Sequence, residues 1–142
     1  NIRWRPLADS LPIRDRIVWH GMVPRDKALD VMNEGHVFLH SSVKEGTPHV
    51  VVEALALGMP VLCHDACGMG IAVDERCGLK VPLLDPETST AGFQAAIRRL
   101  LTEPELLPTL SAGAYQRAAE LSWESKVEAF SQAYLDATKT HA

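Results

Sequence analysis

Two glutamates with seven residues between them, Glu45 and Glu53, bracket the stretch of this chain whose residue types could do chemistry. It reads Ser42-Val43-Lys44-Glu45-Gly46-Thr47-Pro48-His49-Val50-Val51-Val52-Glu53. Residues 41–47 form a polar loop, and Pro48 marks a helix start, because proline is tolerated where an N–H has no helical acceptor. The amides of a first helical turn lack an intrahelical partner and stand at the positive end of the helix dipole, so phosphate is a natural guest there. Gly46 lets the backbone approach a ligand closely. Pro48 has no donor, which leaves the free amides to Thr47, His49 and Val50. Glu53 lies deeper in the same helix, among Val50, Val51, Val52, Ala54 and Leu55. A carboxylate in such apolar company needs a partner. Two readings are open: an outward face that meets solvent or neighbouring backbone, or a pair of ribose hydroxyls, since one carboxylate accepts two hydrogen bonds side by side.

The other reactive residue types read as structural. Cys63, Cys67 and Cys77 make an odd count in a chain rich in core aliphatics, which argues against a disulfide scaffold and for a reducing compartment. Cys63 and Cys67 stand one residue too far apart for a Cys-x2-Cys zinc pair, so no metal site is expected. His20, His36 and His40 alternate with strand residues and read as partnered structural histidines; Lys44 reads as a solvated charge, and Trp19 and Phe38 as core.

The elements that must position the motif follow from pattern. Residues 16–20, 36–40, 60–64 and 78–82 are short β-prone runs closed by glycine, proline or polar residues. Between them lie an amphipathic helix over 25–34, a helix running from Pro48 to a stop at Gly58, and a short helix over about 67–74. Strands alternating with helices imply a mostly parallel sheet with helices on both faces. After Asp85-Pro86 the pattern turns all-helical: Phe93, Ile97, Leu100 and Leu101 share one helix face, Pro104 opens a second helix with Leu106, Leu107 and Leu110, and Ser122 caps a third with Val127, Phe130 and Tyr134. Residues 4–11 look like the end of a helix, and no G-x-G-x-x-G or Walker loop is present. The expectation is one Rossmann-like domain over 1–142, lacking its first βα unit, with 86–142 as its helical C-terminal part.

Composition narrows the classes. Of 142 residues, 46% are hydrophobic and 23% charged, which gives a real core and excludes a disordered tail. Fourteen Lys and Arg against 18 Asp and Glu leave a net charge of −4, opposite to what a protein riding on nucleic-acid backbones carries. The most apolar window, 49–63, is interrupted by Glu53, Gly58 and Pro60, so no membrane span is expected.

The segment Glu-Gly-Thr-Pro-His-Val-Val-Val-Glu-Ala-Leu-Ala-Leu-Gly-Met-Pro-Val resembles the E-x7-E segment of retaining glycosyltransferases of the GT-B fold, family 4. Five further segments agree in order. Trp19-His20-Gly21-Met22-Val23 is similar to the family's strand and Gly-x-Val turn, and Phe38-Leu39-His40-Ser41-Ser42 to its strand before the motif. Asp65 to Gly70 stands at the glycine loop, and Gly78-Leu79-Lys80-Val81-Pro82 is similar to its Gly-x-x-Val-Pro strand. Trp123 follows Ser122 as at the family's late helix start. Two departures stand out: Pro48 where the family commonly has Gly, and Cys67-Gly68-Met69-Gly70 where it often has a Gly-Gly pair with a nearby Glu.

The resemblance implies the C-terminal, donor-binding half of such an enzyme, transferring a sugar from a nucleoside diphosphate sugar with retention. It places Glu53 on the ribose hydroxyls, Glu45 on the donor sugar as the catalytic-site glutamate, and Gly46, Thr47, His49 and Val50 on the sugar and diphosphate. It places the turn from Gly21 to Arg25 near the base through backbone contacts. It implies no metal and no cofactor beyond the sugar nucleotide as co-substrate, and an acceptor glycan or lipid held by an N-terminal domain. The expected compartment is the cytoplasm, with the parent able to sit peripherally at a membrane's inner face. On this reading the chain alone is inactive and its exposed seams favour self-association. The competing readings are a non-catalytic nucleotide-binding or interaction module, and a GT-B-related sugar-nucleotide epimerase.

Overall fold

The computed structural model describes residues 4–46 and 48–139. Among the described residues, three parallel strands and seven α-helices follow one another as α1 (Trp4–Asp9), α2 (Arg25–Asn33), β1 (Phe38–His40), α3 (His49–Ala56), β2 (Val61–His64), α4 (Cys67–Ala72), β3 (Gly78–Val81), α5 (Pro86–Thr102), α6 (Leu106–Glu120) and α7 (Trp123–Lys139). The sheet order is β1-β2-β3. Phe38 faces Val61, His40 faces Cys63, and Cys63 in turn faces Lys80, so the three strands end at one level. α3 and α4 connect the strands, and all four residues of central β2 are buried.

Strand alternation divides the core into two layers. Val61 and Cys63 point to the face that holds Val51, Ala54 and Leu55 of α3, Met69 of α4 and Ala114 of α6. Leu62 points the other way, with Val81, toward Ala96 and Phe93 of α5. Helices therefore cover both faces, as the pattern of alternating elements implied. Gly58, at φ +69°, ends α3 in the left-handed region that glycine enters without penalty, and Tyr115 of α6 packs where a Cβ would stand. The Ser122 cap expectation holds, its hydroxyl accepting from the Ser125 amide at 3.2 Å; Asp85, not read as a cap from sequence, caps α5 as well, its carboxylate accepting from the Thr88 amide at 2.8 Å.

Three sequence expectations need correction. Residues 16–20 are not a strand: 14–16 form a short 3-10 turn, and Val18 and Trp19 are 73% and 45% exposed. A β-prone run becomes a strand only where a neighbour pairs with it, and among the described residues none does. Trp19 is accordingly not core; the Arg5 guanidinium lies 5.3 Å from its ring centroid. On α5 the packed face is Phe93 and Ala96, whereas Ile97 and Leu101 are exposed, because the sheet beneath is only three strands wide.

Candidate functional site

The C-terminal ends of β1 and β2 carry the loops that build the site. The chain leaves β1 at His40, crosses the polar loop and enters α3, whose N-cap is Pro48 and whose first helical residue is His49. Val51 and Val52 turn their amides onto the Pro48 carbonyl at 2.9 and 3.2 Å, so the first-turn amides of His49 and Val50 are those helix geometry leaves open. Thr47, the other expected amide donor, lies outside the described residues. Gly46 is exposed, with open space where a side chain would be.

A second loop clasps the first. The Gly68 amide donates to the Glu45 carbonyl at 3.0 Å, and a Cβ on Gly68 would collide with the Gly46 carbonyl oxygen. Gly68 therefore sets how closely the start of α4 approaches the motif loop. Its neighbour Cys67 holds φ +51°, a left-handed conformation uncommon outside glycine, as the chain turns into α4. Lys80, on β3, reaches back to the Asp65 carboxylate at 3.0 Å and the Gly70 carbonyl at 3.1 Å, bracing the far side of this loop.

Glu45 and Glu53 sit in different surroundings. The Glu45 side chain is 41% exposed; its Oε1 accepts from the Ser42 hydroxyl at 3.2 Å and stands 4.0 Å from Nε2 of His40. Glu53 is drawn in further, at 28% exposure, and its Oε1 accepts from Arg25 Nε at 2.9 Å and Nη2 at 2.5 Å. Both bonds fall on one oxygen, and among the described residues Oε2 has no partner. His49 and Glu53 lie four residues apart, on the same side of α3. Gly21 takes φ +67° in the turn that leads to α2, and that turn is what delivers Arg25 to Glu53.

The fold thus sets Gly46, His49 and Val50 at the open start of α3, with Glu45 in the loop before it and Glu53 further along the helix, and joins the Gly21–Arg25 turn to this rim through a side chain. That side chain was not read from sequence, where only the turn's backbone was considered. The signal was available: an arginine at the first position of a helix opposes the helix dipole and so calls for a carboxylate elsewhere. Beside the rim, a cleft of about 410 Å³ is bounded by Gly46, Pro48, His49, Val52 and Gly68 and by Trp123 and Lys126 of α7. A second cleft of about 410 Å³ opens on the α5 side, between Ser41, His64, Leu83 and Phe93. Buried Cys63 is pushed up to about 11, chiefly by desolvation, so it is a neutral thiol. Among the described residues no group of three or more His, Cys, Asp or Glu is placed to hold a metal ion, and no helix is long and apolar enough to cross a membrane.

Comparison with known proteins gives the family. The family described as Glycosyl transferases group 1 matches residues 3–117. The chain is 32% identical over 132 residues to a D-inositol 3-phosphate glycosyltransferase of Rhodococcus opacus, covering 93% of this chain and 29% of that protein. It is also 32% identical over 132 residues to the protein of that name from Thermobifida fusca, covering 92% of this chain and 30% of the relative. Sucrose-phosphate synthase from Thermosynechococcus elongatus superposes with a TM-score of 0.77 at 26% identity, over 97% of this chain and 34% of that one. The chain thus spans about a third or less of the length of the relatives it matches.

Proposed function

This chain belongs to the group 1 glycosyl transferases, of GT-B fold, and on that premise we propose that it is the donor-binding part of an enzyme that moves a sugar from a nucleoside diphosphate sugar to an acceptor with retention. The observation that carries the reading is the open start of α3, with Glu45 in the loop before it and Glu53 further along the helix, its Oε1 held by Arg25. In this reading Glu53 accepts from the ribose hydroxyls through Oε2 while Arg25 holds Oε1. Glu45 meets the donor sugar. The diphosphate lies against the amides of Gly46, Thr47, His49 and Val50, at the positive end of the α3 dipole. When the anomeric C–O bond breaks, negative charge grows on the leaving diphosphate, and preorganised amides and the dipole stabilise it without reorganisation. The backbone of the Gly21 turn borders the base. The acceptor, a glycan or lipid, is held by a part of the protein beyond this chain, and the reaction takes place in the cytoplasm with no metal or further cofactor.

Glu53→Gln in the full-length protein tests the ribose role. Gln is nearly isosteric, so the fold is kept, while a charged acceptor is lost; nucleoside diphosphate binding is expected to weaken by about 1–3 kcal/mol. Calorimetric titration with UDP, GDP and ADP measures it, and unchanged affinity for the diphosphate that binds the unsubstituted protein overturns the assignment. Residues 1–142 alone are expected to transfer no sugar; sustained transfer by the purified chain would contradict the placement of the acceptor site elsewhere.

A further inference from the structure

His40 closes β1 with a side chain only 16% exposed, its ring stacked on Phe38 at 5.7 Å and 18°. Its Nε2 is buried and has no hydrogen-bond partner among the described residues. A buried polar atom left unpaired is unfavourable by the full desolvation of that group, so such atoms are rare without a reason. The acceptor in its reach is Glu45 Oε1, 4.0 Å away: too long for a hydrogen bond, and about an ångström from one. The shift needs only the Glu45 side chain: its carboxylate is partly exposed and free to swing, while the Gly68 amide holds the backbone behind it at the Glu45 carbonyl.

We propose that His40 is a positioning residue for the donor sugar: its Nε2–H and the Ser42 hydroxyl together hold Glu45 Oε1, which turns Oε2 toward the sugar. This rests on the donor-sugar role proposed above for Glu45. Solvent competes for the carboxylate while the rim is open. A bound sugar displaces that solvent, and the His40 contact then shortens in a drier, lower-dielectric setting where a charge-assisted hydrogen bond is stronger. Among the described residues no other ionisable group pairs with His40. Cys63, in register beside it on β2, is held neutral by burial. Lys80, one strand further, is paired with Asp65. On α3, which packs on β1, His49 is exposed and Glu53 is taken by Arg25.

The test is made in the full-length protein with UDP-glucose, GDP-mannose and UDP-N-acetylglucosamine, each beside its free diphosphate. His40→Phe keeps the ring stack and removes the donor; His40→Gln restores an N–H. The expected result is about a tenfold loss of sugar-nucleotide affinity in His40→Phe, the size of one charge-assisted contact, with free diphosphate affinity unchanged and partial recovery in His40→Gln. Unchanged diphosphate binding also reports that the fold is intact. Equal weakening of diphosphate and sugar nucleotide in both variants would overturn the proposal, as would no change in either. Glu45→Gln is the control for the underlying reading: if it leaves the ratio of the two affinities untouched, the donor-sugar role of Glu45 fails, whatever His40 does.

Discussion

At Glu53 the carboxylate has its Oε1 against Arg25, and among the described residues Oε2 has no partner. Arg25 itself is 75% exposed, so this pair contributes little to stability; its use is to fix the direction of the carboxylate. Gly68 works differently, through the absence of a side chain. Gly68→Ala puts a methyl group into the Gly46 carbonyl and against Pro48 Cδ, and backbone cannot swing aside as a side chain can. The expected effect is a destabilisation of about 1–3 kcal/mol, the range for overpacking, together with weaker diphosphate binding as the motif loop is pushed outward. Urea unfolding and a diphosphate titration check the two parts, and wild-type values in both would show that the loops separate freely.

The elements are held in register by an ion network as well as by the core. Arg76, in the connection from α4 to β3, makes a two-pronged pair with Glu120 at the end of α6, at 2.8 and 2.9 Å, and also bonds Asp74. Arg117 joins Glu120 at 2.8 Å and caps α4 through the carbonyls of Ala72 and Ile71 at 2.9 and 2.7 Å. The two guanidiniums hold the Glu120 carboxyl down at about 2, from an ordinary 4.5, with hydrogen bonding to Arg76 the larger cause and to Arg117 the next. Asp74 is lowered in the same way by Arg76. A carboxyl held below its unfolded value contributes fully above that value, and its contribution is lost as pH falls through the folded one. Stability is therefore expected to fall from about pH 4.5 toward pH 2, more steeply in the unsubstituted protein than in Glu120→Gln. Thermal melts across that range check it; parallel acid profiles would show that the network does not couple α6 to the sheet.

Over the whole molecule, the covered and uncovered faces are unequal. α3 and α6 pack against each other and against the sheet, and α5 covers the opposite side of β2 and β3. α7 buries none of its residues, and Trp123, Val127, Phe130 and Tyr134 stand exposed along it. Leu39 of β1 and Val18 and Met22 of the preceding segment are exposed as well. Apolar surface of this extent recruits a partner. Residues 1–142 prepared alone are expected to self-associate, with a two-fold pair as the simplest closed form. Light scattering at several concentrations reads this directly, and a strict monomer at high concentration would show that these side chains stay wetted at no cost to solubility. Trp123→Ser with Phe130→Ser is expected to shift the distribution toward monomer if α7 is the surface used.

Local rules carried much of this protein. Glycine and proline punctuation, with β-prone runs of fixed length, placed β1, β2 and β3 within a residue or two, because turn residues end a strand through their own backbone whatever packs beside it. Ser122 was legible as a cap because a cap needs only a side-chain oxygen and an amide a few residues away. The start of α3, with Gly46, His49 and Val50 at its rim, was legible for the same reason: proline and glycine act on their own backbone. What stayed hidden depends on residues distant in sequence. Residues 16–20 have strand composition, yet ladder pairing is a property of two segments, and composition cannot supply the second. Arg25 meets Glu53 across 28 positions, and Gly68 meets Glu45 across the β2 strand. His40 looked like one more partnered strand histidine until the packing left its Nε2 buried, unbonded and facing Glu45. Backbone conformation is written in neighbouring residues, whereas the partner of a buried or charged side chain is chosen by the crossing of elements in space, and only the tertiary structure decides it.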